Sequence, residues 1–390
     1  MIAAYLFWSC AFLVAYTYVL YPCLLFVVYA LSQVRTDLRY LTRRGDRRQR
    51  PLTDQDLPPV SVIIPAYNEE RHLKDKIANV AELDYPRDRL QVIIVSDGST
   101  DQTNDILSNV HDPTIETILL PSRAGKWAAV NEGTRRARHD LLVMSDAATL
   151  FRADALRQLV RHFRNPRVGV VCGALRFRGG DEFAQTEGVY WRYEMMLRLM
   201  EARVGATLTA SGAIYALRRE CYRPLTSDDI IDDFVVPMRA RKLGFGVVFD
   251  PESEATEFAG DSVKDEFARR VRLAVGSFRS LGELIRVPMD SMTRLSFFSH
   301  KFLRWVLPFV LIGLLMSNLL LLGDSFYLLT LAGQLGIYLS AVSALVFRER
   351  VRRVPLMMLC YYLMAINLAF LVGFVRFVGG RRESTWHRVA

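Results

Sequence analysis

VSVIIPAYNEE, residues 60–70, decides the reading of this chain. Val60 to Pro65 is a short β-branched run closed by proline, and the polar group Ala66-Tyr67-Asn68-Glu69-Glu70 follows it directly. Such a run, bounded by turn-forming residues, predicts a buried strand. Glu69 to Glu82 is amphipathic and predicts a helix, after which LQVIIV at 90–95 repeats the strand form. Strand, helix, strand is the unit from which parallel sheets are wound. The alternation continues with a helix from Asp101, a strand at Ile115 to Leu119, a helix from Lys126 to Arg138 and a strand at Asp140 to Met144. The expected fold class is α/β, with a parallel sheet covered by helices on both faces.

In open sheets of this kind ligands bind beyond the carboxyl ends of the strands. Three strand ends carry polar residues directly after an apolar run: Ala66 to Glu70, Ser96-Asp97-Gly98-Ser99-Thr100-Asp101, and Ser145-Asp146-Ala147. Asn68, Ser99 and Asp101 have a local explanation as helix caps or first-turn acids. Asp97 and Asp146 precede the cap positions and are the better candidates for binding. Beyond Phe151 the pattern predicts a strand at Val168 to Cys172 and a long helix from Glu182 to Val204. Next come a segment Leu208 to Leu217 holding Ser211-Gly212-Ala213, and a helix from Ile231 to Leu243 with Asp228, Asp229, Asp232 and Asp233 near its start. A strand at Gly246 to Phe249 and a basic helix from Val263 to Leu281 follow. Leu284 to Ser299 is amphipathic, as in segments that lie on a membrane surface.

The two ends have another character. Ala3 to Leu31 carries no charge and is long enough for a bilayer core at roughly 20 residues per span. A cleaved signal peptide is the alternative; the length of the run, beyond a signal core of about 7–15 residues, and the lack of a basic residue before it favour an anchor. Phe302 to Leu322, Phe326 to Phe347 and Pro355 to Val378 are three further apolar segments. Arg35, Arg39, Arg43, Arg44, Arg47, Arg48 and Arg50 crowd the exit of the first, and Arg348, Arg350, Arg352 and Arg353 lie between the last two. Arginine near the ends of spans favours the cytoplasmic face, so a multi-pass protein of the plasma (inner) membrane is expected, its central domain cytoplasmic. Arg381, Arg382 and Arg388 run against that count and leave the side of the C-terminus open. The net charge of +9 thus owes much to juxtamembrane arginine, which suits anionic membrane lipids as partners. No basic surface interleaved with stacking aromatics is visible, which argues against nucleic acid. Five cysteines without paired spacing argue against a disulfide framework or a zinc site.

Six elements, VIIPAYNEE (62–70), VSDGSTD (95–101), GKWAAVNEG (125–133), SDA (145–147), DDFVVPMRARKLG (232–244) and RRVRLAVG (269–276), occur in this order. Together they resemble the large inverting glycosyltransferase family that includes cellulose, chitin and hyaluronan synthases and many bacterial exopolysaccharide enzymes. The resemblance covers roughly residues 60–281 and extends to the flanking membrane helices. It implies a GT-A-type nucleotide-binding sheet flanked by transmembrane α-helices. The implied layout is an N-terminal membrane helix (1–34), a basic linker (35–58), a catalytic domain (59–282), an interfacial segment (283–300), three membrane helices (301–378) and a basic tail (379–390).

By the same resemblance the donor is a nucleotide-diphosphate sugar, UDP-sugars first among them, and the acceptor a lipid-linked oligosaccharide or polysaccharide. Pro65, Ala66, Tyr67, Glu69 and Asp97 match positions that hold base and ribose, and Lys126 matches a lysine that approaches the diphosphate. A solvated lysine at a helix start is the local alternative for Lys126. Asp146 matches the first aspartate of a metal-binding Asp-x-Asp pattern that takes Mg²⁺ or Mn²⁺, but Ala148 stands at the second position. Asp233 matches the family's general base, with Asp232 beside it on the acceptor side. Acids that serve only the helix dipole are the alternative, and the one expected for Asp228 and Asp229. Arg269 and Arg272, three apart, share a helix face from which acceptor and phosphate are in reach. Processive relatives carry Gln-x-x-Arg-Trp where this chain has Arg269, Arg272 and Leu273. Gly212 matches the acceptor-side segment, where glycine permits close backbone approach. Two alternatives remain open: a processive synthase that translocates its product, with or without partners of a polysaccharide assembly system, and a catalytically silent nucleotide-binding scaffold.

Overall fold

The computed structural model of the chain describes residues 1–43, 53–178, 182–258, 263–347 and 354–380. The arginines at 44–50 and 348–353 and the tail from 381, on which membrane orientation was argued, lie outside the described residues. One sheet of eight strands holds β1 (Val60–Ala66), β2 (Leu90–Ser96), β3 (Ile115–Leu119), β4 (Leu141–Met144), β5 (Leu150–Phe151), β6 (Val168–Arg178), β7 (Tyr215–Arg218) and β8 (Gly246–Phe258). Their order across the sheet is β3-β2-β1-β4-β7-β6-β8-β5. The first four run parallel. Every residue of β1 and β2 is buried, because helices cover both faces; hence the near-continuous apolar runs. The polar residues inside them pair with each other, the Ser61 hydroxyl donating to Gln91 Oε1 at 2.8 Å.

The far half of the sheet is mixed, where a parallel sheet was expected. β7 pairs antiparallel with β4 and β6, and β5 antiparallel with β8. A parallel neighbour needs a crossover that brings the chain back to the starting edge. Here the chain instead re-enters at the carboxyl edge, with Tyr215 opposite Met144, so β7 must run the other way. β6 and β8 are also longer than their apolar cores, because Ala174–Arg178 and Glu254–Phe258 pair with each other beyond a register shift.

The helices, numbered along the chain, begin with α1 (Ile2–Ala15) and α2 (Tyr21–Arg43), joined by a π-helical turn at Tyr16–Leu20. Within the domain lie α3 (Glu70–Ala81), α4 (Thr103–Ser108), α5 (Lys126–Arg136), α6 (Ala155–Val160), α7 (Glu182–Arg203), α8 (Asp232–Lys242) and α9 (Val263–Leu284). α10 (Ser291–Ser296) runs through a π-helical segment, Phe297–Phe302, into α11 (Leu303–Leu319), so from Ser291 onward the expected interfacial segment is continuous with the helix that follows it. α12 (Ser325–Val346) and α13 (Pro355–Val378) close the described chain. Ile2–Thr42, Ser291–Leu319, Ser325–Val346 and Pro355–Val378 are each long and apolar enough to cross a membrane.

Two joints tie these helices to the domain. In the first, α9 is held between two glycines' worth of close contact: a Cβ on Gly373 of α13 would stand 2.5 Å from Ala274 Cβ, and one on Gly276 would stand 2.9 Å from Ile230 and 3.0 Å from Ile231. Small residues let helix backbones approach this closely. Ile231 directly precedes Asp232, so α13 bears through α9 on the start of α8. In the second joint, Tyr21 donates to Glu201 at 2.8 Å, and His300 bridges Glu201 (2.8 Å) and Glu194 (3.0 Å), joining α2, α7 and the segment before α11. A buried polar group left without such a partner would cost about 1–3 kcal/mol.

Gly373→Val overpacks the first joint, at a cost of about 1–3 kcal/mol. The expected outcome is a lower midpoint of thermal unfolding for the detergent-extracted chain. Gly333→Val is the control, since nothing lies within 4 Å of that position, and should leave the midpoint unchanged.

Candidate active site

The carboxyl ends of β1 and β2 are stitched together by side chains. Asn68 takes up a left-handed conformation (φ 54°), and instead of capping a helix it accepts the Thr100 N–H at 2.8 Å while its own N–H donates to Ser99 Oγ at 3.1 Å. Asp101, expected as a first-turn acid, instead precedes the N-cap Gln102 of α4 and accepts the Thr103 N–H at 3.0 Å and the Glu70 N–H at 3.1 Å. Beside this seam Pro65, Ala66 and Glu69 are buried, and the half-buried Tyr67 presents a ring on which the Arg123 guanidinium lies at 3.9 Å. Asp97 is buried, and its two oxygens accept the N–H groups of Ala124 (2.7 Å) and Gly125 (2.8 Å). Its role in the fold is therefore to fix the loop that leads into α5. Gly98 (φ +61°) makes this possible: a Cβ there would stand 2.4 Å from Arg123 N.

Lys126, the first residue of α5, reaches across to the acids. Its ammonium lies 2.9 Å from Asp146 Oδ1, after β4, and 3.7 Å from Asp232 Oδ2, in the first turn of α8. A Cβ on Gly212 would be 3.6 Å from that ammonium, 3.7 Å from Asp146 Oδ2 and 4.0 Å from Asp233 Cβ, so Gly212 forms the floor on which the three meet. The Gly212 segment is held by the Ala210 N–H donating to the Asp233 carbonyl at 2.7 Å, and by Arg198 donating to Thr209 Oγ1 at 3.0 Å. Lys126, Asp146, Gly212, Asp232 and Asp233 thus converge.

The electrostatics follow from that crowding. Burial alone would lower the pKa of Lys126, but the carboxylates of Asp146 and Asp232 outweigh it and hold the ammonium charged. Withdrawal from water, and next the charge of Asp232, push the Asp233 carboxyl up to about 6, against the pull of Lys126. Asp228 and Asp229 face elsewhere, paired at 2.8 Å with Arg279 and at 2.8 Å with Arg239. On α9 Arg269 is exposed and paired with Glu266 at 2.7 Å, and Arg272 is half-buried one turn later.

Among the described residues no group of three or more His, Cys, Asp or Glu gathers, so a metal would find no cage made by protein alone. What the site offers is a pair of carboxylates, Asp146 and Asp232, that already share one cation in Lys126. Mg²⁺-type ions that travel with phosphates need only one or two carboxylates, the rest being phosphate oxygen and water. Asp146 fits that donor set.

Two residues of the site escaped the sequence reading. Arg123 stands three residues before Lys126 in the loop that Asp97 orders, and its Nη2 is buried without a hydrogen-bond partner. Lys76 is only 1% exposed and hydrogen-bonds the loop that carries Asp146, and burial draws its pKa down to about 7 against the charges of Asp146 and Glu257. Its signal was present: with Leu73, Ile77 and Val80 it occupies the apolar stripe of α3.

Comparison with known proteins bears on the family and the fold. Residues 61–224 match the sequence profile of the family described as Glycosyl transferase family 2. An N-acetylglucosaminyltransferase of Mesorhizobium japonicum is 29% identical over 249 residues, 59% of this chain and 58% of that protein. A poly-beta-1,6-N-acetyl-D-glucosamine synthase of Staphylococcus epidermidis is 25% identical over 243 residues, 58% of this chain and 56% of that protein. The chain thus spans less than two thirds of the length of these relatives. Among solved structures, a mannosyltransferase from Pyrobaculum calidifontis in complex with GDP-Man and Mn²⁺ shares the fold, with a TM-score of 0.68 over 92% of this chain and 98% of that one at 21% identity. The ordered motifs, the GT-A-type sheet and the profile match lead to one assignment: residues 61–224 belong to a Glycosyl transferase family 2 domain.

Proposed function

We propose that this chain is a membrane-bound inverting glycosyltransferase that moves a sugar from a nucleotide-diphosphate donor to a lipid-linked or growing polysaccharide acceptor. Its catalytic domain would face the cytoplasm. The observation that carries this reading is the convergence of Lys126, Asp146, Asp232 and Asp233 around Gly212, at the carboxyl edge of the parallel strands.

Tyr67 and Arg123 form a flat, cationic shelf for the base, on the loop fixed by Asp97. Lys126, held charged, transfers its attraction from Asp146 to the incoming diphosphate. Asp233 takes the proton from the acceptor hydroxyl as that oxygen attacks the anomeric carbon. The new carbon–oxygen bond forms opposite the breaking bond to phosphate, so a single displacement inverts the centre. Asp232 keeps the proton affinity of Asp233 high enough for this work near neutral pH. Gly212 leaves room where the sugar must pass. Asp146 would hold Mg²⁺ or Mn²⁺ together with the phosphates, and such an ion supplies charge that neutralises the departing diphosphate. The fold neighbour's complex with GDP-Man and Mn²⁺ supports that reading.

A processive synthase is the second reading, favoured by relatives named poly-beta-1,6-N-acetyl-D-glucosamine synthase. Chain-length analysis of the product separates it from addition of one or a few sugars.

Asp233→Asn is expected to lower transfer by about 10²–10⁴-fold, the range of general base catalysis, while equilibrium binding of nucleoside diphosphate survives. Normal release of nucleotide by that variant would sink the assignment. Because Asp233 must be ionised to act and its pKa is raised, turnover should fall as pH drops through about 6 and level off above it. Asp232→Asn, which removes a raising charge, should move that midpoint downward in a pH–rate profile. Asp146→Ala should make donor binding insensitive to Mg²⁺ or Mn²⁺ in a titration followed by calorimetry; an unchanged metal response contradicts the proposed site.

A further inference from the structure

Lys76 is among the largest fully buried side chains of the molecule, in a position where lysine is almost never found without a task. Its ammonium donates to Ser145 Oγ at 2.7 Å and to the Thr149 carbonyl at 2.5 Å, and lies 4.3 Å from the centre of the Phe151 ring. Ser145 and Thr149 are the two ends of the loop that carries Asp146, so one cation holds both ends from inside the domain. Three residues further along α3, on the same face, Asn79 donates to the Phe151 carbonyl (2.8 Å) and accepts the Phe151 N–H (2.7 Å). The strand after the loop is thereby fixed to the same helix. Within the loop the Thr149 N–H donates to the Asp146 carbonyl at 3.2 Å, which closes the turn. Ala148 offers no carboxylate of its own, so the leaving-group side of the site relies on the aim of Asp146 alone. An apolar residue of similar length would fill the Lys76 position without the desolvation of a charge, so packing does not account for the lysine.

We propose that Lys76 is a positioning residue for Asp146: by clamping both ends of the 145–149 loop, its ammonium fixes the carboxylate that faces Lys126 and the donor diphosphate. The proposal rests on the role given to Asp146 above. It does not place Lys76 in contact with substrate; the residue acts through the loop. An error of about 1 Å in placing a catalytic group can cost about 10²-fold in rate, which sets the scale of the effect.

The test uses the full chain in detergent or native membranes, with release of nucleoside diphosphate as the assay and thermal unfolding as the control. Lys76→Met keeps length and contact with Phe151 but removes the charge and both hydrogen bonds. Turnover should fall about 10- to 100-fold, while the unfolding midpoint is unchanged or raised, because a buried charge has been removed. A residue retained only for stability would show the reverse split. In the double variant, Lys76→Met on Asp146→Ala should be no slower than Asp146→Ala alone to within about twofold, since residues that act through one another are not additive. Wild-type turnover in Lys76→Met, or a double variant that loses the product of the two single effects, would overturn the proposal. Wild-type turnover in Asp146→Ala would overturn the role of Asp146 itself, and the proposal with it, and is distinguishable from both. Should Lys76→Met fail to accumulate, Ser145→Ala removes one of the two bonds and leaves the charge in place. It should slow turnover about 3- to 10-fold, the worth of one hydrogen bond, with the same masking by Asp146→Ala; turnover equal to wild type there also overturns the clamp.

Discussion

The attraction of one ammonium for two carboxylates is the interaction on which the site depends. Lys126 opens α5, Asp146 follows β4, and Asp232 opens α8, so the contacts at 2.9 and 3.7 Å draw together elements that are more than 80 residues apart at their extremes. At such separations, near a protein surface, the pair energy is on the order of 4 kcal/mol, enough to fix geometry. The same charges set the chemistry. Lys126 keeps Asp146 and Asp232 compensated, while burial, and next the charge of Asp232, leave Asp233 with a raised proton affinity.

The frame around these groups is built from backbone more than from charge. Asp97 spends both oxygens on the N–H groups that precede Lys126, and Gly98 lets that loop lie flat against β2. Gly212 brings its segment within contact of Lys126, Asp146 and Asp233. On the opposite side of the acids, Gly276 and Gly373 let α9 pack between the start of α8 and α13 without side chains intervening. A helix long and apolar enough to cross a membrane therefore bears, through one other helix, on the peptide that carries Asp232 and Asp233.

Much of this was legible in the chain. β1, β2 and β3 and the helices between them follow from local periodicity, because a strand buried on both faces must be apolar throughout and a helix buried on one must repeat near 3.6 residues. Asp97 and Asp146 stood out because each is an acid placed directly beyond an apolar run, and Asp233, one of four acids near a helix start, through its match to a family motif. Lys76 did not stand out, although it breaks the apolar stripe Leu73, Ile77, Val80. Its meaning depends on Ser145 and Thr149, some 70 residues away, and a one-dimensional pattern does not show what a side chain meets. Arg123 was missed for the same reason, since its partner Tyr67 lies on another strand end.

The sequence by itself determined the class of fold and the four apolar helices, since each of these rests on neighbours within a few turns of chain. Only the tertiary structure decided the mixed half of the sheet, the extra length of β6 and β8, and which of the four acids near α8 face the site. β6 and β8 carry polar residues in their outer halves and become strands because each supplies the other with hydrogen-bond partners. Asp228 and Asp229 are drawn away by Arg279 and Arg239, whereas Asp232 and Asp233 turn toward Lys126. Both outcomes are set by partners distant in sequence, and charge and hydrogen-bonding capacity acquire direction only once the chain has brought those partners within reach.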